Sequence, residues 1–228
     1  MSVTTFKRAR SAEQRAERQR AILATAAAML TEMPVADLSL NELSRRVGLA
    51  KSNVLNYFDS REAVLLELSS SELTAWVKDL DATVGDALPE LTIRDRTEQL
   101  ISAVVGTLAE RPVLCDLISA QAGVLERNIS TETALAFKRA ALQSFAQMIE
   151  AVVGVLPELG RDGAGRFIAT ASLLAGAIWS HSHPVPAILA AYEADPALAA
   201  IRLEFAPALA DALRTLLYGA LPRTDQGR

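Results

Sequence analysis

Apolar residues recur along this chain at spacings of three and four, and Ala and Leu, both strong helix formers, dominate its composition. Alternating apolar and polar runs bounded by turn pairs do not occur, so the pattern reads as all-α. A first helix is predicted from about Ala12 to Met33, with Ile22, Leu23, Ala26, Ala27 and Leu30 facing inward and Pro34 ending it. A short helix follows Ser39, and a third spans Ala50 to Phe58. From Ser60 to about Ala82, Leu65, Leu68, Trp76, Val77 and Leu80 continue one apolar stripe. That stripe outruns what three small helices can cover, so the fourth helix is expected to connect a head (1–66) to a body (67–228). Gly85–Thr92, with Pro89, is the expected boundary loop. Body helices are predicted at about 93–110, 113–127, 131–155, 162–182 and 196–219. Pro112, the Asn128–Thr131 cap, Pro157 with Gly160, a Gly163–Gly165 turn and Asp195–Pro196 mark their ends. Pro207 is expected to kink or restart the last one.

Ser39–Phe58 holds the most informative pattern. Ser39 followed by Glu42 forms a capping box, one oxygen for an orphan amide and a carboxylate reaching back. Leu40, Leu43 and Val47 make one apolar stripe, and Gly48 supplies the left-handed conformation for a sharp exit. The next helix buries Val54 and Phe58 and shows Lys51, Ser52, Asn53, Asn56 and Tyr57 on its other faces. Two short helices joined by a Gly turn, the second carrying partners for phosphates and base edges, make a helix-turn-helix. The alternative for these positions alone, carrying less weight, is an ordinary αα-corner with solvated polar residues.

The residues that follow narrow the reading. Asp59-Ser60-Arg61-Glu62 starts another helix and leads directly into AVLLELSSSELTAWVKDL. Gly48-Leu49-Ala50-Lys51-Ser52, Tyr57-Phe58 and Ser60-Arg61-Glu62-Ala63-Val64-Leu65, in this order and spacing, resemble the DNA-binding domain of the TetR (tetracycline-repressor) family of bacterial regulators. The likeness covers about Arg15 to Leu68. It implies a three-helix helix-turn-helix domain joined by a long helix to a helical ligand-binding and dimerisation body, whose ligand it leaves open. It also implies DNA contacts at Asn41, Lys51, Ser52, Asn53, Tyr57 and Arg61, with Asn56 among the outward polar residues beside them. The chemistry suits these roles. Lys51 can reach phosphate or guanine, Ser52 lets the backbone approach the groove, and Asn53 can pair bidentately with adenine. Tyr57 can bond a phosphate, and Arg61, at a helix start, suits another. Leu55 departs from the family pattern, in which Tyr is common there, so the operator cannot be inferred by analogy.

Charge sharpens this picture. The net charge is −4, but residues 1–66 hold ten Lys and Arg against seven acids, leaving +3 there and −7 on the rest. A basic head on an acidic body orients the molecule on a polyanion. Met1–Ala12 is polar and basic and is expected to be disordered until it meets DNA. Arg15, Arg18 and Arg20 are placed to approach the backbone, although a solvated helix end accounts for any one of them equally well. The single Cys115 excludes an internal disulfide, and no apolar core follows the charged N-terminus, so a cytoplasmic location without a membrane span is expected.

Candidate chemistry beyond DNA is sparse. Paired acid motifs, a Gly-rich phosphate loop and HExxH are missing from the sequence, so no enzyme and no cofactor is implied. His181-Ser182-His183 lies on a helix whose geometry sends the two imidazoles to different faces, which argues against a metal. Cys115, Ile118, Gln121, Phe137, Trp179 and His181 are candidates to line a pocket for a small apolar effector, with a packed core as the alternative for each. The nearly all-round apolar 162–182 helix and the wide apolar face of Ile201, Phe205, Leu209, Leu213 and Leu216-Leu217 predict a homodimer built on two helices per subunit. The expected function is a ligand-responsive transcriptional regulator, a repressor that binds a palindromic operator as a dimer. The alternative is a regulator of the same fold controlled by a protein partner.

Overall fold

The computed structural model describes residues 3–85 and 90–221, with side chains from Glu13 onward, and among these every regular element is helical. The expected 85–92 boundary loop falls partly outside the described residues. In the head, α1 is Val3–Leu30, α2 Leu40–Val47 and α3 Lys51–Val54, and α4 is Arg61–Val84. The body contains α5 Ile93–Ala109, α6 Pro112–Ala120, α7 Thr131–Val155, α8 Gly160–Ser182, α9 Pro186–Ala194, α10 Pro196–Ala199 and α11 Phe205–Ala220.

Several boundaries differ from the sequence expectation. α1 begins at Val3 instead of after a disordered arm, because the stretch up to Arg20 has neither Gly nor Pro and is rich in Ala, Arg, Gln and Glu. Met1 and Ser2 lie outside the described residues. α3 is one turn long. Beyond Val54 the chain tightens, Asn56 N–H bonding to the Asn53 carbonyl and Tyr57 N–H to that of Val54. Gly163 and Gly165 do not form a turn but sit inside the first turns of α8. The 196–219 segment splits into α10 and α11, and Pro207 falls in the first turn of α11, where its missing N–H breaks no helical bond. α9, opened by Pro186, was not expected as a separate helix.

The chain forms two compact units, one reaching to Ser71 and including Ala120–Arg139, the other made of Glu72–Ser119 and everything from Ala140 on. In the first, Ile22, Ala26 and Met29 of α1 are fully buried, as are Leu43, Val54, Val64 and Leu65. Phe58 is core as well. In the second, α11 packs against α5 and α8 and buries Phe205, Leu209, Leu213 and Leu217 among Leu100, Leu114 and Leu156. The apolar face of α11 expected to meet a partner chain is therefore used within its own unit. Arg96 is buried and donates to the Val155 carbonyl at 2.6 Å and to the Glu158 carboxylate, closing the C-terminal end of α7. α8 approaches α6 closely at Gly176, where an added Cβ would lie 3.2 Å from Ile118 Cγ2 and 3.4 Å from the Ile118 carbonyl oxygen.

Candidate functional site

The head is assembled by local bonds that the sequence dictates. Ser39 Oγ accepts the Glu42 N–H at 3.2 Å and caps α2. The Glu42 carboxylate does not complete a capping box; it accepts from Arg45 Nε at 2.8 Å and Arg46 Nε at 2.9 Å. Hydrogen bonds from Arg45 and then Arg46 hold Glu42 down to about 2, so it stays ionised at any physiological pH. α2 ends at Gly48, with φ of 74° and ψ of 29°. Gly48 N–H bonds to the Arg45 carbonyl and Leu49 N–H to that of Ser44, a paired closure that turns the chain into α3.

Lys51, Ser52, Asn53 and Asn56 are exposed along the α3 segment, opposite buried Val54 and Phe58. Asn41 is exposed on α2, and Arg45, one helical turn further on, has a side chain 73% exposed. Arg45 carries no sequence-based expectation, although its i, i+4 spacing from Asn41 sets both on one face of α2. Tyr57 is half-buried beneath Arg15, whose guanidinium carbon lies 5.1 Å from the ring centroid, and Arg15 Nη2 donates to the Asn56 carbonyl at 2.9 Å. Arg15 thus ties α1 to the end of the exposed polar segment that α3 opens. Arg61 points into the head, with Nη2 donating to the Val35 carbonyl at 2.7 Å. Leu55 is 41% exposed among the polar residues.

In the body an apolar cavity of about 50 Å³ is lined by Leu73, Trp76 and Leu80 of α4, Val104 and Leu108 of α5, Ile118 of α6, Met148 and Val152 of α7, and residues of α8 and α11. Its polar wall groups are already paired: Ser172 Oγ donates to the Ile168 carbonyl and Trp76 Nε1 to Thr107 Oγ1, each at 2.9 Å. No charged side chain lines it. Of the six residues expected to line a pocket, Ile118 borders this cavity. Cys115 is core, its Sγ 3.4 Å from the Leu108 carbonyl, and burial with the nearby Asp116 charge pushes its thiol up to about 12. Trp179 is buried with its ring stacked on His183 at 3.8 Å and edge-on to Phe205 at 5.0 Å, while His181 is exposed. Gln121 donates to Glu126 at 2.8 Å within a π-helical turn, Gln121–Leu125. Phe137 is buried in the unit that contains the head. Periodicity marks which side chains are buried, but not which of them border a void.

Among the described residues no cluster of His, Cys, Asp and Glu can hold a metal ion, and no single helix is long and apolar enough to cross a membrane. Residues 22–68 match the description of bacterial regulatory proteins of the tetR family, and residues 70–224 match the tetracyclin repressor-like C-terminal domain. The HTH-type transcriptional regulator EthR of Mycobacterium tuberculosis is 44% identical over 52 residues, 23% of this chain and 24% of that protein. The chain therefore spans about a quarter of the length of this relative. Two solved structures share the fold. A TetR transcriptional regulator from Rhodococcus sp. RHA1 has a TM-score of 0.51 at 14% identity, covering 88% of this chain and 95% of that one. The fatty acid degradation regulator FadR from Bacillus halodurans has a TM-score of 0.52 at 12% identity, covering 91% and 96%. With both the helix-turn-helix head and the helical body matched, this chain belongs to the TetR family of DNA-binding transcriptional regulators.

Proposed function

We propose that the protein is a repressor that binds a palindromic operator as a homodimer and is released when a small apolar molecule enters the body cavity. The observation that carries this reading is the wall of that cavity. Three of its residues, Leu73, Trp76 and Leu80, belong to α4, the helix that begins at Arg61 immediately after the recognition segment. α4 has 24 residues and is about 36 Å long, so a small tilt at one end displaces the other by ångströms. A ligand that prefers the tilted state draws the protein away from the DNA-bound one by its difference in affinity for the two. The wall has no unpaired polar group, which selects an apolar occupant.

In the head, Asn53, Ser52 and Asn56 read base edges, with Lys51, Tyr57 and Asn41 positioned for the backbone. Dimerisation is supported by α8. Ala169, Leu173 and Ala177, at successive i, i+4 positions, are exposed, Leu173 by 77%, and no charged residue occurs between Phe167 and Tyr192. A solvated helical face of this length ordinarily carries charge, so an uncharged one suits a second copy.

A fluorescent operator, obtained by selection from random duplexes, tests the reading by anisotropy. Titrating long-chain alcohols and neutral aromatic compounds should release it. A cavity of about 50 Å³ is well below the roughly 300 Å³ at which ligand pockets begin, so the occupant must widen it. That narrowness favours, as a second reading, control by a protein partner; retention of the operator under every compound would select it.

A further inference from the structure

Both α4 and α7 supply walls of the cavity, through Leu73 and Trp76 on one and Met148 and Val152 on the other. Their N-terminal ends are joined by a side-chain clasp. Asp59 Oδ2 accepts from Ser130 Oγ at 2.8 Å and from Thr133 Oγ1 at 3.2 Å, across 71 and 74 residues of sequence. Capping does not account for this carboxylate. Ser60 Oγ already caps α4 by accepting the Ala63 N–H at 3.1 Å, and Ser130 Oγ already caps α7 by accepting the Thr133 N–H at 3.1 Å. Asp59 is therefore additional to both caps, a negative charge at the positive end of a 25-residue helix. It also follows directly on Asn56, Tyr57 and Phe58, the end of the segment that faces DNA.

We infer that Asp59 is a positioning residue that fixes the end of the recognition segment to α7, so that cavity occupancy reaches Asn56 and Tyr57 through α7 as well as through α4. The inference rests on the ligand-responsive reading above. An occupant that parts the two helical walls must move one helix against the other. At their starts Asp59 resists that movement, and the strain falls on the Asn56–Phe58 segment before it. Without the carboxylate, α7 shifts freely and only α4 carries the signal.

A wedge built into the cavity replaces the unidentified ligand. Ala171→Phe adds a ring at the cavity wall, and a duplex selected by the wild-type protein reports DNA affinity. The wedge is measured with and without Asp59→Ala, which leaves both helix caps in place. The expected result is a loss of about tenfold from the wedge in the wild-type background, within the usual range of coupling between sites. In the Asp59→Ala background the same wedge should cost less than about threefold, and Thr133→Val should shift the ratio in the same direction. A merely structural Asp59 would lower the melting temperature of both backgrounds alike and leave the wedge effect unchanged. Equal loss in the two backgrounds overturns the clasp while leaving ligand response standing. No loss from the wedge in the wild-type background overturns both. Should Ala171→Phe lack a cooperative melt, Ser172→Leu takes its place with the same outcomes.

Discussion

Replacing Arg61 with alanine separates two roles that one side chain cannot fill equally. At the start of a helix beside the recognition segment it suits a phosphate, yet its Nη2 donates to the Val35 carbonyl at 2.7 Å and its side chain is only 22% exposed. Val35 opens the short 3₁₀ turn that leads into α2, so the bond pins the start of α4 to the entry of the helix-turn-helix. A hydrogen bond from a charged group contributes roughly 1.5–3 kcal/mol. Arg61 Nε is buried without a partner, and removing it returns about 1 kcal/mol. The net loss is then about 0.5–2 kcal/mol, a drop in melting temperature of about 1–8 °C for a chain of this size. DNA binding supplies the second readout. Each neutralised phosphate contributes about 0.9 to the slope of log K against log salt. Arg61→Ala should melt earlier and keep the wild-type slope. An unchanged melt with a slope shallower by about 0.9 per subunit would show that Arg61 neutralises phosphate and would refute its assignment to the interior.

Three further outcomes follow from the same geometry. Asn53→Ala should weaken binding to the selected duplex by the roughly 1–3 kcal/mol of a bidentate base contact and leave binding to random duplex unchanged, which competition anisotropy measures. Gly48→Ala meets no atom within 4 Å, so its cost is conformational, about 1–2 kcal/mol in urea denaturation, and Gly48→Asn should recover much of it. Arg96→Ala leaves Glu158 and the Val155 carbonyl without their donor and should cost about 2–3 kcal/mol, below the usual range for a buried pair because Glu158 is 27% exposed. The Arg96 hydrogen bond lowers Glu158 below the ordinary carboxylate value of 4.5. Its stabilisation is therefore complete above that value and is lost as pH falls through the lower folded one, an acid sensitivity that Glu158→Gln should remove.

Much of the head was legible because its signals are local. A Ser three residues before an acid, a Gly after an apolar stripe and Val54 with Phe58 one turn apart all act within a few residues, and the structure realises the cap, the left-handed exit and the buried pair. Glu42 shows the limit of such reading: its carboxylate had two arginines in reach and took them instead of the Ser39 amide. Contacts between distant segments left no trace in the pattern. Neither the bond from Arg61 to Val35 nor the clasp from Asp59 to Ser130 has a periodicity to reveal it. The apolar face of α11 was visible, but a stripe does not say whether α5 and α8 or another chain will cover it. The cavity was hardest, since Cys115 and Ile118 are both apolar residues of one helix and only Ile118 borders the void.

Selection from a random duplex pool at low salt tests the central claim most directly, because it asks whether the segment after Gly48 reads sequence in the major groove. The enriched duplexes should carry two inverted half-sites with centres about 10 base pairs apart, or a multiple of that, and Lys51→Ala with Asn53→Ala should abolish the enrichment. A pool that shows no enrichment, or one whose enrichment survives both substitutions, contradicts the account.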